Sequence, residues 1–327
     1  MTHSNWRRTL RAVLISTAAL ATIATLTVVA VFIHSGWYGL NFFKHGAMIW
    51  VAIGPDDTRL SKPIRLALRD GPPIATPGAF AWERRADGFE TAELPALIKG
   101  EEVDRILLAR IDPEKYRFQV HNRPAGDRDL GDWMQLLHAT LVVNGSYFGR
   151  RGTPATPLVS RGFSSGPRDY RATHGAFVVS EDLVGLRDLG NENWKDLFKT
   201  ARYGLVSYPL LVGPGRHGIK SSPHWLANRT FIGQDSEGFI ILGTTKEAFF
   251  SLERLALFLK DAPLDLVLAL NLDGGPVACQ GIAIETFSRD FCGQWEVNDD
   301  GGKLRLLRPM LSGRRVGLPI VLAALPR

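Results

Sequence analysis

The sequence predicts an α+β fold in which helices pack on a mixed, largely antiparallel sheet, preceded by one N-terminal transmembrane helix. Residues 12–33 carry no charged side chain. Beyond about Gly78, short β-like runs are separated by turn residues, and two amphipathic segments interrupt them. The 327 residues are enough for one large α+β domain or for two smaller domains.

The uncharged N-terminal run has the length of a membrane helix. At about 1.5 Å per residue its 22 residues span a hydrocarbon core of about 30 Å. Arg7, Arg8 and Arg11 precede the run, and after it the next lysine or arginine is Lys44, so we expect a cytoplasmic N-terminus. A signal peptide cleaved near Ala30 is the alternative, although the run exceeds the usual apolar region of about 7 to 15 residues.

This interpretation predicts a single-pass protein of the inner (plasma) membrane, with the rest of the chain periplasmic or extracellular. Residues 1–11 are a basic tail, 12–33 a signal-anchor and 34–77 a spacer with turn signals at Gly54-Pro55 and Gly71-Pro72. A folded domain is expected from residue 78 to residue 327.

The remaining elements follow from local patterns. Leu264–Leu272 is apolar apart from Asp265 and Asn271 and is bounded by Pro263 and Asp273, which predicts a buried strand. Helices are predicted at 129–138 and 251–260, the second with its apolar side chains on one face. Further strands are expected at 106–111, 116–120, 141–143, 176–179, 205–211 and 239–242.

Composition excludes several classes of protein. The net charge is +6, but the basic residues are scattered, so no nucleic-acid partner is expected. Cys279 and Cys292 are the only cysteines, which excludes a dense disulfide framework or a CxxC metal site. In an oxidising compartment they could form a disulfide, and two unpaired thiols are the alternative. We expect neither a metal nor a cofactor.

Two strand ends place polar groups next to glycines. An apolar run ends at Asn144, followed by Gly145, Ser146 and Tyr147, and could present polar atoms to a ligand or simply enter a turn. The second strand ends at Asp273. Its carboxylate could act as acid, base or ligand anchor, because desolvation by an apolar strand raises the pKa of an aspartate.

Gly274 and Gly275 follow that aspartate and let a ligand or another backbone come close. The alternative is a turn capped by Asp273.

Guanidinium groups supply candidate phosphate ligands. Arg229 and Thr230 enter a β-like segment, and Arg161 follows another. Arginine binds phosphate oxygens in a planar, bidentate manner, although an ordinary ion pair is equally compatible with the pattern. His174 is a candidate acid or base, or a structural histidine.

In their order along the chain, these segments resemble the phosphodiester glycosidase family. The stretch Asn144–Phe148 is similar to the family's Asn-Gly-aromatic-Phe segment, and Arg229–Gly233 to its Arg-Thr-Ala-Ile-Gly segment. Leu272–Gly275 matches its Leu-Asp-Gly-Gly segment. The resemblance covers roughly residues 78–310. Pro276 departs from it, since the family continues with a small residue and then Ser or Thr.

The resemblance implies a hydrolase that cleaves sugar-1-phosphodiester linkages in a phosphorylated glycan or envelope polymer, and the N-terminal apolar run predicts that it is membrane-tethered and extracytoplasmic. Asp273 and His174 would be catalytic. Asn144, Gly145, Tyr147, Arg161, Arg229, Thr230, Gly274 and Gly275 would bind substrate. Pro276 motivates an alternative, a non-catalytic glycan-binding accessory protein of polysaccharide export or modification. A metal-dependent phosphoesterase is a third possibility, for which the sequence offers no ligand cluster.

Overall fold

The computed structural model describes residues 3–45, 48–69, 71–214, 219, 221–309 and 315–327. The helices are α1 (His3–Leu40), α2 (Phe42–His45), α3 (Lys62–Ala67), α4 (Leu130–Leu137), α5 (Trp194–Thr200) and α6 (Leu252–Asp261), with a 3₁₀ turn at Gly275–Val277. The strands are β1 (Met48–Ala52), β2 (Thr76–Pro77), β3 (Glu83–Ala86), β4 (Phe89–Ile98), β5 (Glu101–Ile111), β6 (Tyr116–Asn122), β7 (Leu141–Asn144), β8 (Leu158–Ser160), β9 (Phe163–Ser165), β10 (Gly175–Val179), β11 (Val184–Asp188), β12 (Tyr203–Ser207), β13 (Leu210–Val212), β14 (Leu226–Ala227), β15 (Thr230–Asp235), β16 (Ile240–Thr245), β17 (Leu266–Asn271), β18 (Cys279–Ile284), β19 (Phe287–Cys292), β20 (Glu296–Asp300), β21 (Lys303–Pro309) and β22 (Ile320–Pro326).

Every strand pairing among the described residues is antiparallel. The largest sheet has the order β13-β17-β15-β16-β5-β4-β2, with β3 paired to β4. A second sheet has the order β19-β18-β7-β22-β6. The two smaller sheets are β1-β21-β20-β14 and β11-β10-β12-β8-β9. The α+β fold class with a largely antiparallel sheet is therefore confirmed.

An apolar core joins the two larger sheets. It contains Leu141 and Val143 from β7 together with Ile232 from β15 and Leu270 from β17, all essentially inaccessible to solvent. Alternate residues of these strands point into one shared core, which fixes the register of both sheets. The ends of β7, β15 and β17 are consequently held close to one another.

The predicted helices and strands are present with shifted boundaries. The strand expected to be buried, β17, is buried only in its second half: Val267 is 49% exposed, because the first half extends beyond the core. The run 205–211 is divided into β12 and β13 by a cis peptide bond between Tyr208 and Pro209. Asp129 caps α4 by accepting a hydrogen bond from the Asp132 amide, and Ser251 caps α6 through the Arg254 amide.

Helix α1 contains a stretch long and apolar enough to cross a membrane, Thr9–Leu40, judged by length and composition. Its residues from Thr9 to Ala30 are exposed. A helix that is apolar on all sides and left outside the core needs another apolar environment. This supports the transmembrane helix expected from the sequence.

Residues 48–77, which the sequence analysis assigned to the spacer, lie within the domain. Strand β1 pairs with β21, and Ile64 of α3 is fully buried in the same apolar cluster as Ile106 and Leu108 of β5. Helix α3 was not predicted because it is short, lies between two turn signals and has only two or three apolar residues on its buried face. The folded unit therefore begins about 30 residues before the predicted boundary at residue 78.

We predict that Ile64→Ala lowers the free energy of unfolding of the full-length protein by about 2–5 kcal/mol, because it leaves a cavity in the shared core. Lys62→Ala, one turn away on the exposed face, serves as the control, with a change of at most about 0.5 kcal/mol. Urea unfolding in detergent, followed by tryptophan fluorescence, measures both. Equal stabilities of the two variants would show that α3 is not part of the core.

Candidate active site

The candidate site lies where the two larger sheets meet. Strand β17 ends at Asn271, and the Leu272 amide donates to the Thr230 carbonyl at 2.8 Å, which continues the pairing with β15. One residue later, the Asp273 amide donates to the Gly145 carbonyl at 3.0 Å. The backbone of Asp273 thus leaves one sheet and bonds to the end of the other.

Asn144 fixes this junction with its side chain. Its Nδ2 donates to the Asp273 carbonyl at 2.7 Å. Its Oδ1 accepts hydrogen bonds from the Thr230 hydroxyl at 2.7 Å and the Cys279 amide at 3.0 Å. Asn144 is 2% exposed, so both ends of the amide are used inside the protein. These bonds hold Asp273 in place and give Asn144 a positioning role, in addition to the substrate contact that the sequence analysis expects of it.

Two positions in the site require glycine because neighbouring side chains come too close for a Cβ atom. A Cβ on Gly145 would overlap the Ile320 side chain. Gly275 has a φ of 69°, and a Cβ there would overlap the Glu296 carboxylate. Gly145 and Gly275 therefore shape the site, and any contact they make with substrate would be through the backbone.

Asp273 is the candidate site's central carboxylate. Burial raises the pKa of Asp273 from 3.8 to about 7, and the nearby Glu296 charge acts in the same direction. The Gly274 amide, which donates to Asp273 Oδ1 at 2.9 Å, and the Arg229 guanidinium oppose this rise. At neutral pH the carboxyl can therefore both give up and accept a proton.

Glu296 supplies a second carboxylate that the sequence analysis did not identify. It lies beside Gly275, and its Oε1 accepts a hydrogen bond from the Trp225 indole at 3.0 Å. Burial raises the pKa of Glu296, against the effects of Trp225 and Arg229. Two carboxyl groups whose pKa values are raised by burial and, at Asp273, by like charge are typical of acid–base sites.

Asn228 holds the segment that carries Glu296. Its Oδ1 accepts from the amides of Gln294 and Trp295, both at 2.9 Å, and its carbonyl accepts from the Gly275 amide at 2.8 Å. Neither residue could have been found by spacing, because Glu296 follows no motif and Asn228 reads as part of a glycosylation sequon. Glu296 is recognisable as a site residue by its buried environment, and that environment forms only when the chain folds.

Arg229 is 4% exposed and lies against the Asp273 segment. Its Nη2 donates to the Trp225 carbonyl at 2.7 Å, and its Nη1 lies next to Gly274. Burial lowers the pKa of Arg229, while Tyr147, Glu296 and Asp273 raise it. A buried guanidinium beside two carboxyl groups stabilises their ionised forms and offers donors to an anion.

A pair of tyrosines forms one wall of the site. Tyr147 stacks on Tyr208 with ring centroids 4.5 Å apart, and its hydroxyl donates to the Tyr208 carbonyl at 2.9 Å. Asn271 Nδ2 donates to the same hydroxyl at 2.6 Å. Burial raises the pKa of Tyr147, and the neighbouring Asp273 charge adds to this effect. Such a stacked pair suits the apolar face of a sugar ring.

Arg161 and His174 make their described contacts elsewhere. Arg161 lines a surface cleft together with His121 and Arg128. His174 Nδ1 accepts from the Leu210 amide at 3.4 Å, and its ring centroid lies 6.3 Å from that of Tyr208, next to the tyrosine wall. The residues that the structure brings together around Asp273 are Asn144, Gly145, Tyr147, Arg229, Thr230, Gly274, Gly275 and Glu296.

Pro276 and the cysteines complete the Asp273 segment. Pro276 lies in the first turn of the short 3₁₀ helix Gly275–Val277, a position where its missing amide is tolerated. Cys279 and Cys292 form a disulfide between paired strands β18 and β19. Within the described part of the chain, no group of three or more His, Cys, Asp or Glu side chains could hold a metal ion.

One family of known proteins is similar to the part of the chain that carries most of this site. Residues 138–280 match the sequence model of the phosphodiester glycosidase family. The matched segment contains Asn144, Arg229 and Asp273 and confirms the resemblance expected from the motifs. No curated protein sequence shows significant similarity to the chain.

Solved structures show only distant similarity. A hypothetical protein from Synechocystis is 15% identical with a TM-score of 0.47, covering 76% of this chain and 64% of that one. The catalytic domain of zebrafish N-acetylglucosamine-1-phosphodiester alpha-N-acetylglucosaminidase, auto-inhibited by its pro-peptide, is 16% identical with a TM-score of 0.47 and covers 86% of this chain and 88% of its own. A putative exported protein from Burkholderia pseudomallei is 10% identical with a TM-score of 0.42, covering 68% and 74%.

The family match points to a hydrolase, as the sequence analysis expected. Residues 138–280 are similar to the phosphodiester glycosidase family, a class of hydrolases that act on phosphodiester-linked sugars.

The raised pKa of Asp273 predicts a pH-dependent loss of stability. Between about pH 4 and pH 7 the folded chain retains a proton on Asp273 that the unfolded chain has released, so this group lowers stability as pH rises. Asp273→Asn removes that effect and can still accept the Gly274 hydrogen bond. We expect the variant to gain stability over the wild type above pH 7 and to gain none near pH 4.

Chemical denaturation at a series of pH values measures this difference, with Asp261→Asn at the exposed end of α6 as the control. A constant offset between Asp273→Asn and the wild type across the whole range would contradict the raised pKa.

Proposed function

We propose that this protein is a membrane-tethered extracytoplasmic hydrolase that cleaves sugar-1-phosphodiester linkages in a glycan or envelope polymer. The observation that carries the proposal is the pair of carboxyl groups, Asp273 and Glu296, on either side of Gly274–Gly275, with Arg229 alongside. The match of residues 138–280 to the phosphodiester glycosidase family supports the same reaction.

The chemistry of a sugar-1-phosphodiester fits this arrangement. Glycoside hydrolysis passes through an oxocarbenium-like transition state and uses one carboxyl group as acid and another as base or nucleophile. The C1–phosphate bond has a good leaving group, so stabilising the sugar cation and directing water matter most. Asp273 and Glu296 share these roles, and the tyrosine wall of Tyr147 and Tyr208 faces the sugar ring.

Arg229 would receive the phosphate. Its buried guanidinium is fixed by the carbonyls of Trp225 and Phe250, at 2.7 Å and 3.4 Å, so little side-chain entropy is lost when an anion binds. In the ligand-free site its charge is balanced by the neighbouring carboxyl groups. Arg161 would contact a phosphate farther along a polymer, and His174 would act through Tyr208.

Two features of the chain support the proposed compartment. The Cys279–Cys292 disulfide favours an oxidising environment outside the cytoplasm. Arg7, Arg8 and Arg11 before the apolar helix favour a cytoplasmic N-terminus. Together they support an inner-membrane protein with its catalytic domain on the periplasmic or extracellular side.

Pro276 supports a second candidate function, a non-catalytic glycan-binding protein of polysaccharide export or modification. Proline removes a backbone donor next to the site, and the family's hydroxyl residue is missing at this place. In this alternative the same cleft binds phosphoglycans without releasing sugar.

We expect the full-length protein in detergent to release sugar from glycosyl-1-phosphodiesters but not from simple glycosides or phosphomonoesters. Asp273→Asn and Glu296→Gln should each lower kcat by roughly 10²–10⁴-fold, the usual contribution of a general acid or base. Glu285→Gln, at an exposed turn, is the matched control and should leave kcat unchanged.

Sugar release is measured by chromatography with and without a chelator. Unchanged turnover of Asp273→Asn would remove Asp273 from the mechanism. Binding of the diesters with no release by the wild type would favour the glycan-binding function instead.

A further inference from the structure

The end of the apolar helix is docked on the domain rather than joined to it by a loose linker. We call residues 33–45 the docking segment. Arg151 Nη2 donates to the Ile33 carbonyl at 2.6 Å. Lys44 Nζ donates to the Asp127 carbonyl at 2.7 Å and pairs with Asp132 at 2.8 Å. These contacts reach both ends of the segment.

The docking segment begins where the exposed apolar run ends. Residues 9–30 are exposed on every side, and partial burial starts at Val31. Gly36 has a φ of 61°, which interrupts the helix at the point where it reaches the domain, and the Arg151 side chain covers it. The domain surface around Arg150 and Arg151 therefore lies directly against the end of the apolar helix.

The candidate active site lies next to this segment. The Tyr38 ring packs edge-on against Phe148 with centroids 5.4 Å apart and sits over Gly126. Phe148 directly follows Tyr147 of the tyrosine wall. Two aromatic side chains thus connect the docking segment with the segment that carries Tyr147.

This arrangement keeps the site close to the bilayer. Tyr38 is five positions after Ile33, the last residue of the apolar run, and Gly36 breaks the helix between them. Five positions of chain span at most about 18 Å, and the headgroup layer on each side of the hydrocarbon core is about 5–7 Å thick. Tyr38 and the Phe148 ring on which it packs are accordingly near the headgroup layer.

The exposed side chains around the docking segment suit a membrane surface. Arg150 and Arg151 are exposed, and Arg150 Nη1 lies 3.3 Å from His34 Nε2. Trp37 is 66% exposed and packs on Phe32 with centroids 5.2 Å apart. Exposed arginines next to the docking segment are suited to binding lipid phosphates, and exposed aromatic rings are suited to the membrane–water interface.

We propose that the substrate is a glycosyl-1-phosphodiester whose other ester is a lipid of the same membrane, a refinement that rests on the proposed function. Such a lipid holds its phosphate among the headgroups and its sugar C1 one bond farther out, next to a site that the docking segment keeps close to the bilayer. Water adds its hydroxyl to C1 and its proton to the base. The C1–O bond breaks, and that oxygen leaves with the lipid phosphate.

The test compares lipid-linked and soluble substrates on the full-length protein in nanodiscs. Both substrates carry the same sugar-1-phosphate, esterified to a C20 polyprenol or to butanol. The lipid substrate is placed either in the same discs as the enzyme or in separate discs. Because sharing a bilayer raises the effective concentration, we expect release at least about tenfold faster from shared discs.

The outcomes separate the two proposals. Cleavage of the butyl substrate, with lipid-substrate rates equal in shared and separate discs, would overturn the lipid-linked substrate and leave the hydrolase function standing. Cleavage of neither substrate would overturn the proposed function, and this inference with it.

A double variant tests the contact between the domain and the docking segment. Arg150→Ala with Arg151→Ala should reduce the shared-disc rate about tenfold, since it removes a contact to the docking segment, and should leave butyl-substrate turnover unchanged. Arg84→Ala with Lys115→Ala, two exposed cations that pair with Asp87, is the matched control and should retain the wild-type rates. Full retention of the shared-disc rate by the Arg150/Arg151 variant would contradict the assigned interface.

Discussion

The arrangement of the site depends on one buried amide. Asn144 at the end of β7 holds the Asp273 carbonyl, the Thr230 hydroxyl and the Cys279 amide, and so joins the two larger sheets at the place where β17 ends. Each such bond contributes about 0.5–1.5 kcal/mol net, but an unpaired partner left in the core costs more. The Asn144 side chain therefore fixes the position of the Asp273 backbone, and with it the position of the Asp273 carboxylate.

Because the backbone at Asp273 is fixed, burial sets the pKa values of the charged side chains around it. Asp273, Glu296 and Arg229 lie together in a poorly solvated region, where each changes the protonation of the others. Burial raises the pKa of both carboxyl groups, and the guanidinium limits the rise. Asn228 holds the Glu296 segment as Asn144 holds Asp273. Two buried asparagines thus position the groups that titrate, and the proposed chemistry needs no other charged residue.

The sequence predicted what local patterns encode. The apolar run before Asp273 and the cap at Ser251 gave β17 and α6, because their signals lie within about ten residues. The segment 34–77 was assigned to a spacer since α3 shows its apolar face only when it meets β5. Glu296 and Asn228 were missed for the same reason: their environment comes from strands distant in sequence. Asn144 was identified as a site residue, but its positioning role depends on bonds to three segments that only the fold brings together.

The central claim is that the site breaks the bond between the sugar C1 and the phosphate oxygen. Hydrolysis of a glycosyl-1-phosphodiester in water enriched with oxygen-18, followed by mass spectrometry of the phosphate monoester, tests it most directly. Glycosidic cleavage by Asp273 and Glu296 predicts that the phosphate product carries no label, because its bridging oxygen stays in place. One labelled oxygen in the phosphate would mean attack at phosphorus and would contradict the account.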